Sequence, residues 1–199
     1  MENPKTRLQL IQAAKDVFVH KGFDDTTMID IAEASGFSRR TLYGYFESKV
    51  EIYQAVINYE TDKIIEQLTE IAERNIPVKQ KIVEFVFGRF RVLKEMVDRN
   101  GTLRSAFFRN SWGLEHFRKS FDMKEKSLLM QIITAGKTEG VFNVTNVRRT
   151  VSILHNCLRG FEVPYIRGNI WQGNSREEMR IEAQKLIFGA LGCNDQKMN

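Results

Sequence analysis

The chain is poor in cysteine and proline, and it has no long apolar run. Its 199 residues include three prolines and two cysteines, Cys157 and Cys193. Two cysteines cannot build a dense disulfide framework, so we expect a reducing, cytoplasmic location. No stretch of about 18 apolar residues is present, which predicts no transmembrane helix and no membrane partner. The low proline content favours helices over a turn-rich β protein.

Catalytic motifs are also missing from the sequence. The three histidines are isolated and form no HExxH pair, and the two cysteines have no CxxC spacing. There is no Walker loop, no GxGxxG motif after a strand and no GxSxG elbow. We therefore expect no enzyme activity, no bound metal and no cofactor.

The composition is that of a folded and mildly basic chain. Hydrophobic residues make up 42% of it, which is ample for a packed core and excludes disorder of the whole chain. The formal net charge is +5. Residues 1–50 balance seven Lys or Arg against seven Asp or Glu, whereas residues 74–126 carry thirteen against six. A nucleic-acid site near the N-terminus must therefore be a local patch.

The first fifty residues have the layout of a helix-turn-helix. Asn3 and Pro4 predict the start of a first helix that ends near Gly22. A second helix begins after Thr26 or Thr27, and a third begins after the N-cap Ser38. The short turn between them contains Gly36, which can adopt a left-handed conformation.

Apolar periodicity predicts helices along the rest of the chain. They cover about residues 48–74, 78–99, 102–110, 114–138, 146–167 and 175–192. The predicted fold class is therefore all-α with about nine helices. We expect a helix-turn-helix domain over residues 1–48, followed by a helical domain over residues 49–199 that forms a ligand pocket and a dimer interface.

Residues 26–53, TTMIDIAEASGFSRRTLYGYFESKVEIY, carry a specific resemblance. The segment is similar to the DNA-binding region of the tetracycline-repressor (TetR) family of bacterial transcription regulators. The shared features are TTxxxIAxxxG, then SxxTLYxYF, then SK before a long helix. The close similarity covers about the first 55 residues. It implies a homodimer that represses transcription until a small molecule binds the C-terminal domain.

The third helix supplies the predicted base contacts. At about 100° per residue, Leu42 and Phe46 point to the core, and Arg40 and Gly44 point outward. We predict Arg40 as the main base reader, because arginine is the natural bidentate partner of guanine. The full set of predicted DNA-binding residues is Thr27, Ser38, Arg39, Arg40, Thr41, Tyr43, Gly44, Tyr45 and Lys49. Of these, we predict phosphate contacts for Thr27, Ser38, Tyr45 and Lys49.

Alternative interpretations remain open for several of these residues. Ser38 is also a plain N-cap, and Tyr45 could simply pack against the first helix. Ile29 stands where many members of the resembled family carry a polar or basic residue. Gly44 either removes a base-reading side chain or lets the backbone sit deeper in the groove. The operator sequence therefore cannot be transferred from any relative.

The predicted dimer interface and effector pocket lie in the second domain. A 4-3-4-3 apolar stripe and a helix with small residues predict the interface, with monomer core as the alternative. Its predicted residues are Val151, Leu154, Leu158, Ala183, Ile187 and Ala190. The predicted effector-binding residues are Phe85, Arg89, Phe108, Asn110, Trp112, His116, Asn156 and Arg159. The basic balance of residues 74–126 indicates an anionic or amphipathic effector, or else a solvated basic face.

The sequence thus predicts a ligand-responsive transcriptional repressor. It binds a palindromic double-stranded DNA operator as a homodimer, and a small-molecule effector releases it. The alternative is an all-helical ligand-binding or partner-binding module whose helix-turn-helix does not read a specific operator. Ile29, Gly44 and the zero net charge of residues 1–50 keep this alternative open.

Overall fold

The computed structural model of the chain describes residues 3–99, 112–168 and 175–193. These residues form eight α-helices and no strand, which confirms the predicted fold class. The helices are α1 (Pro4–Lys21), α2 (Met28–Ser35), α3 (Arg39–Tyr45), α4 (Lys49–Glu73), α5 (Val78–Arg99), α6 (Trp112–Thr138), α7 (Val147–Ile166) and α8 (Arg176–Ala190). The predicted helix over residues 102–110 lies outside the described residues. Within the described ranges, no helix is both long and apolar enough to cross a bilayer.

The chain divides into two compact units. The first comprises Met1–Lys63 and Met96–Ser120, and the second comprises Ile64–Glu95 and Phe121–Asn199. The first unit reaches Lys63 because its apolar core needs the early turns of α4, which contribute Ile52 and Val56. The domain boundary after residue 48 stays a prediction.

The core of the first unit fixes the helix-turn-helix. Leu10 and Phe18 of α1 are buried with Leu42 of α3 and with Phe46, the residue after α3. Between α2 and α3, Gly36 adopts φ 71°, a left-handed conformation that glycine tolerates without strain. The turn therefore lets α3 pack through one face while its other face stays in solvent.

The core of the second unit is apolar, but it also contains polar side chains. Ile82 and Phe85 of α5 are fully buried, as are Leu129 and Ile132 of α6. Among the residues of this unit that the structure describes, the buried polar and charged ones are Arg89, Glu125, His155 and Glu162. Charged side chains are almost never fully buried unless they are paired, so each of these four residues needs a polar partner.

Candidate functional site

The N-terminus of α2 is closed by a capping box. The Thr27 hydroxyl accepts from the backbone N–H of Asp30 at 3.2 Å and donates to the Asp30 carboxylate at 2.8 Å. Lys21 donates to the other carboxylate oxygen at 2.6 Å. The hydrogen bonds that the Asp30 carboxylate accepts, from Lys21 first and then from the backbone N–H and the hydroxyl of Thr27, lower its pKa to about 2. The Thr27 hydroxyl is therefore already engaged at the position where we predicted a phosphate contact.

α3 presents the side chains predicted to read bases. Leu42 is fully buried, whereas Arg39, Arg40 and Gly44 are exposed and Tyr43 is 52% exposed. The Ser38 hydroxyl caps the helix by accepting from the backbone N–H of Thr41 at 3.1 Å. It also lies 2.9 Å from the Thr41 hydroxyl. The two arginines and the tyrosine thus stand on a helix capped at its N-terminus and take no part in the core.

Two further predicted DNA-binding residues have internal partners. The half-buried Tyr45 accepts a hydrogen bond from the backbone N–H of Asn3 at 2.9 Å, so it packs at the start of α1. The Lys49 ammonium donates to the carbonyls of Phe23 and Asp24 at 2.7 and 3.1 Å. An ammonium has three donors, so one N–H of Lys49 is not used by these two bonds. Phosphate binding by Tyr45 and Lys49 stays a prediction.

The position of Gly44 on α3 has room for a side chain. A Cβ atom added there would meet no heavy atom within 4 Å. We expect Gly44→Ala to raise the free energy of unfolding by about 0.5–1 kcal/mol, because glycine in a helix loses more entropy on folding. Thermal denaturation measures this. A lower melting temperature would contradict the open space around Gly44.

Operator affinity of Gly44→Ala separates the two roles that glycine can have at this position. If the backbone sits deep in the groove, the added methyl group weakens specific binding although the protein is more stable. If glycine only lacks a base-reading side chain, affinity is unchanged.

A buried ion-pair network connects three helices of the second unit. The Arg89 side chain of α5 is fully buried. Its Nε donates to Glu125 of α6, and its Nη2 donates to Glu162 of α7. Arginine is suited to this position because its planar group donates in several fixed directions at once.

The network continues to a histidine between two carboxylates. His155 of α7 is fully buried, and its Nε2 lies 3.4 Å from Asp122 Oδ1 and 3.4 Å from Glu125 Oε2. Arg159 donates to Asp122 Oδ2 at 3.0 Å. Burial lowers the pKa of His155, but the two carboxylates outweigh that effect and raise the pKa to about 8.

The structure brings only some of the predicted effector residues together. Arg89 and Arg159 both bind carboxylates of α6, and Phe85 is buried one turn before Arg89. Asn156 is exposed. Phe108, Asn110 and the side chains of Trp112 and His116 lie outside the described residues. The prediction missed Asp122, Glu125 and Glu162, although His155, Arg159 and Glu162 recur at i, i+4 and i+7 on α7.

An open groove of about 510 Å³ lies elsewhere in the second unit. It is lined by Ile71, Arg74, Glu84, Phe87, Gly88, Arg91, Tyr165, Glu177 and Arg180. Three guanidinium groups thus face two carboxylates beside aromatic and aliphatic carbon. The volume falls within the usual range for small-molecule sites, and none of the predicted effector residues lines it.

Three of the six residues predicted at the dimer interface are buried within the subunit. Val151, Leu158 and Ile187 are buried within the subunit and belong to its core, which was the alternative interpretation. Leu154 and Ala183 are half-buried, and Ala190 is exposed. α7 carries apolar residues on two faces, and the more regular apolar stripe is the one that packs inward.

Both α7 and α8 carry exposed apolar side chains. Ile153 and Phe161 of α7 are 65% and 51% exposed, and Leu186 of α8 is 74% exposed. The exposed Cys157 and Gly160 lie between the two α7 residues, at i+4 and i+7 from Ile153. We call Ile153, Cys157, Gly160, Phe161, Leu186, Gly189 and Ala190 the outer apolar stripes.

The helix-turn-helix with its exposed basic α3, followed by an all-helical unit, defines a transcriptional regulator with a DNA-binding N-terminal domain. Residues 10–56 match the family model described as "Bacterial regulatory proteins, tetR family". The uncharacterized HTH-type transcriptional regulator YfiR of Bacillus subtilis is 28% identical over 152 residues, 74% of this chain and 73% of the relative. Residues 10–56 thus carry the DNA-binding region that is typical of the tetR family of bacterial regulators.

Two other similar proteins extend the comparison. The HTH-type transcriptional repressor BepR of Brucella suis is 36% identical over 56 residues, which are 28% of this chain and 27% of the relative. The solved structure of the transcriptional regulator FadR from Bacillus subtilis in complex with stearoyl-CoA superimposes with a TM-score of 0.61. That match covers 92% of this chain and 96% of FadR at 19% identity, and it shows the shared fold.

Proposed function

We propose that the protein is a ligand-responsive repressor that binds a palindromic DNA operator as a homodimer. The observation that carries this proposal is the exposed face of α3, where Arg39, Arg40 and Tyr43 stand opposite the buried Leu42. Arginines at the start of a recognition helix can reach base edges in the major groove. To bind such an operator, the protein would have to be in the bacterial cytoplasm.

The outer apolar stripes support dimerisation through α7 and α8. Exposed apolar side chains on one face of a helix, as Ile153 and Phe161 are on α7, usually mark an interaction site. Gly160, Gly189 and Ala190 would allow two helices to approach closely. Two copies of α7 and α8 would form a four-helix interface. A two-fold axis then relates two copies of α3, which requires a palindromic operator.

Leu186→Glu tests this interface. We expect the dimer dissociation constant to rise about tenfold, because a charge must lose its hydration in an apolar contact. Sedimentation velocity over a concentration series measures the shift. The matched control is Ile181→Glu on the same helix, about 140° from Leu186 around the helix axis. Equal dimerisation of both variants and the parent would place the interface elsewhere.

The open groove supports an amphipathic anion as the effector. Arg74 is paired with Glu84 at 2.8 Å, and Arg180 lies over the Phe87 ring at 5.4 Å. The exposed Arg91 adds a third positive charge, while Ile71 and Tyr165 add apolar surface. An anionic head with an alkyl or aromatic body would match this lining. Stearoyl-CoA, which is bound in the FadR structure, is one such molecule.

Thermal-shift screening tests the class of effector. We expect amphipathic anions such as stearoyl-CoA to raise the melting temperature and to release the protein from its operator, by binding the folded state. Coenzyme A without the acyl chain and a long-chain alkyl ammonium ion are the two controls. A screen in which only cationic compounds raise the melting temperature would overturn the anionic assignment.

Selection of bound sequences from a random DNA pool tests the central proposal. A palindromic motif enriched by the purified, ligand-free protein is the expected result. No enrichment by a folded protein would favour the alternative, a helical ligand-binding or partner-binding module. The exposed Ile29, at 40%, is the observation that supports this alternative, because an apolar side chain there offers no hydrogen bond to DNA.

A further inference from the structure

Asp122, Glu125 and His155 bring three metal-ligating atoms together inside the second unit. One atom from each residue, two carboxylate oxygens and an imidazole nitrogen, lies within 4.8 Å of the others. We propose that these residues bind a divalent transition-metal ion of the Zn²⁺ class through Asp122 Oδ1, Glu125 Oε2 and His155 Nε2. This site goes beyond the proposed operator binding and does not depend on it.

The spacing between the imidazole nitrogen and each carboxylate oxygen fits a tetrahedral ion. His155 Nε2 lies 3.4 Å from each of the two carboxylate oxygens. Zinc bonds to nitrogen and oxygen are about 2.0–2.2 Å long in a tetrahedral site, so neighbouring ligand atoms lie about 3.3–3.6 Å apart. Good hydrogen bonds between such atoms are shorter, about 2.7–3.2 Å. Both spacings match those of shared metal ligands and are longer than those of good hydrogen bonds.

Buried polar atoms at this place need a partner. Glu125 Oε2 and both ring nitrogens of His155 are buried and have no hydrogen-bond partner among the described residues. Most buried side-chain polar atoms in proteins have one, so an unsatisfied pair aimed at the same point indicates a bound species. A cation at that point would satisfy the carboxylate oxygen and His155 Nε2 together.

Two arginines orient the carboxylates for this role. Arg89 binds Glu125 Oε1, and Arg159 binds Asp122 Oδ2 at 3.0 Å. In both carboxylates the second oxygen is the one directed at His155 Nε2. Hydrogen bonds from outer residues to ligating carboxylates are a regular feature of metal sites, where they fix the orientation of the ligands.

The types of ligand atom narrow the choice of ion, and the exposure of the ligands indicates its route of entry. Imidazole nitrogen suits Zn²⁺, Ni²⁺, Fe²⁺ and Cu²⁺, whereas sites for Mg²⁺ and Ca²⁺ consist of oxygens. Three protein ligands leave a fourth tetrahedral position for water or for an oxygen of an effector. Asp122 is 17% exposed while Glu125 and His155 are fully buried, so the route for an ion passes Asp122.

Metal binding is tested on the full-length protein without a polyhistidine tag. After equilibrium dialysis against micromolar Zn²⁺, elemental analysis should find about one ion per chain. Asp122→Asn should weaken binding at least tenfold, and His155→Gln should do the same. The control His20→Gln, which alters an exposed histidine of α1, should bind as the parent does. Bound Co²⁺ should show the strong visible absorption of a four-coordinate ion.

Two results would overturn the proposal. One is a folded parent protein that retains no Zn²⁺ after dialysis; Nε2 of His155 would then carry a proton between its two carboxylates. The other is Zn²⁺ binding that is undiminished in Asp122→Asn, which would locate the ion elsewhere. Asp122 is partly exposed, so this variant keeps the test valid even if His155→Gln fails to fold. Circular dichroism establishes that each variant is folded.

Discussion

Replacing Arg40 with alanine is expected to weaken specific operator binding by about 1–3 kcal/mol, or roughly 5-fold to 150-fold. The side chain is exposed on α3, on the face opposite the buried Leu42. A bidentate contact with guanine is lost together with the side chain, and sequence preference at that base should relax. Stability should change by less than about 0.5 kcal/mol, because an exposed side chain without a core contact is removed.

Comparison of two DNA substrates separates base reading by Arg40 from neutralisation of phosphate. Affinities for the selected operator and for random DNA should be measured at one salt concentration, since phosphate contacts depend strongly on salt. The matched control is Arg148→Ala, an exposed arginine of α7 outside the helix-turn-helix. A loss that is equal on both substrates would show that Arg40 only neutralises phosphate and that another residue reads the bases.

The DNA-binding unit was predictable because its signals are local. The N-caps Asn3, Thr27 and Ser38 each accept the backbone hydrogen bond that their sequence context predicts. The buried Leu42 and Phe46 follow from simple helical spacing. Each of these features depends on residues a few positions apart.

The dimer interface that we propose was harder to derive from the sequence, because an apolar stripe on a helix can pack either within the subunit or against a second copy. Val151 and Leu158 form the most regular stripe of α7, yet they pack within the subunit. The exposed Ile153 and Phe161 form a second stripe interrupted by Cys157 and Gly160, and its pattern alone is weaker. Only the packing of the subunit separates the two.

The buried network could not be derived from spacing at all. Asp122 and Glu125 recur at i, i+3 on α6, but their partners His155 and Arg89 come from α7 and α5. No local motif links residues that lie so far apart in the sequence, as Arg89 and Glu162 do with a separation of 73 positions. The expectation that the chain has no metal site rested on local motifs, so it did not test this arrangement.

Arg89→Ala is expected to destabilise the protein by about 3–5 kcal/mol, because it removes one partner of a buried ion pair. Glu125 would remain buried without its guanidinium partner, and leaving a carboxylate in that state is much more costly than losing an exposed pair. At roughly 2–4 °C per kcal/mol for a chain of this size, the melting temperature should fall by roughly 6–20 °C. Measurement with a chelator present removes any contribution from bound metal.

Two further variants separate the charge of Arg89 from its shape. Arg89→Lys keeps the charge but cannot donate to Glu125 and Glu162 in the same fixed directions, so its stability should lie between those of the parent and Arg89→Ala. The triple variant Arg89→Met, Glu125→Gln, Glu162→Gln removes all three charges and should recover much of the loss, because no uncompensated charge remains in the core. If the triple variant were no more stable than Arg89→Ala, the loss would come from missing side-chain volume instead of unpaired charge. The operator affinity of the folded triple variant shows separately whether the network also influences DNA binding.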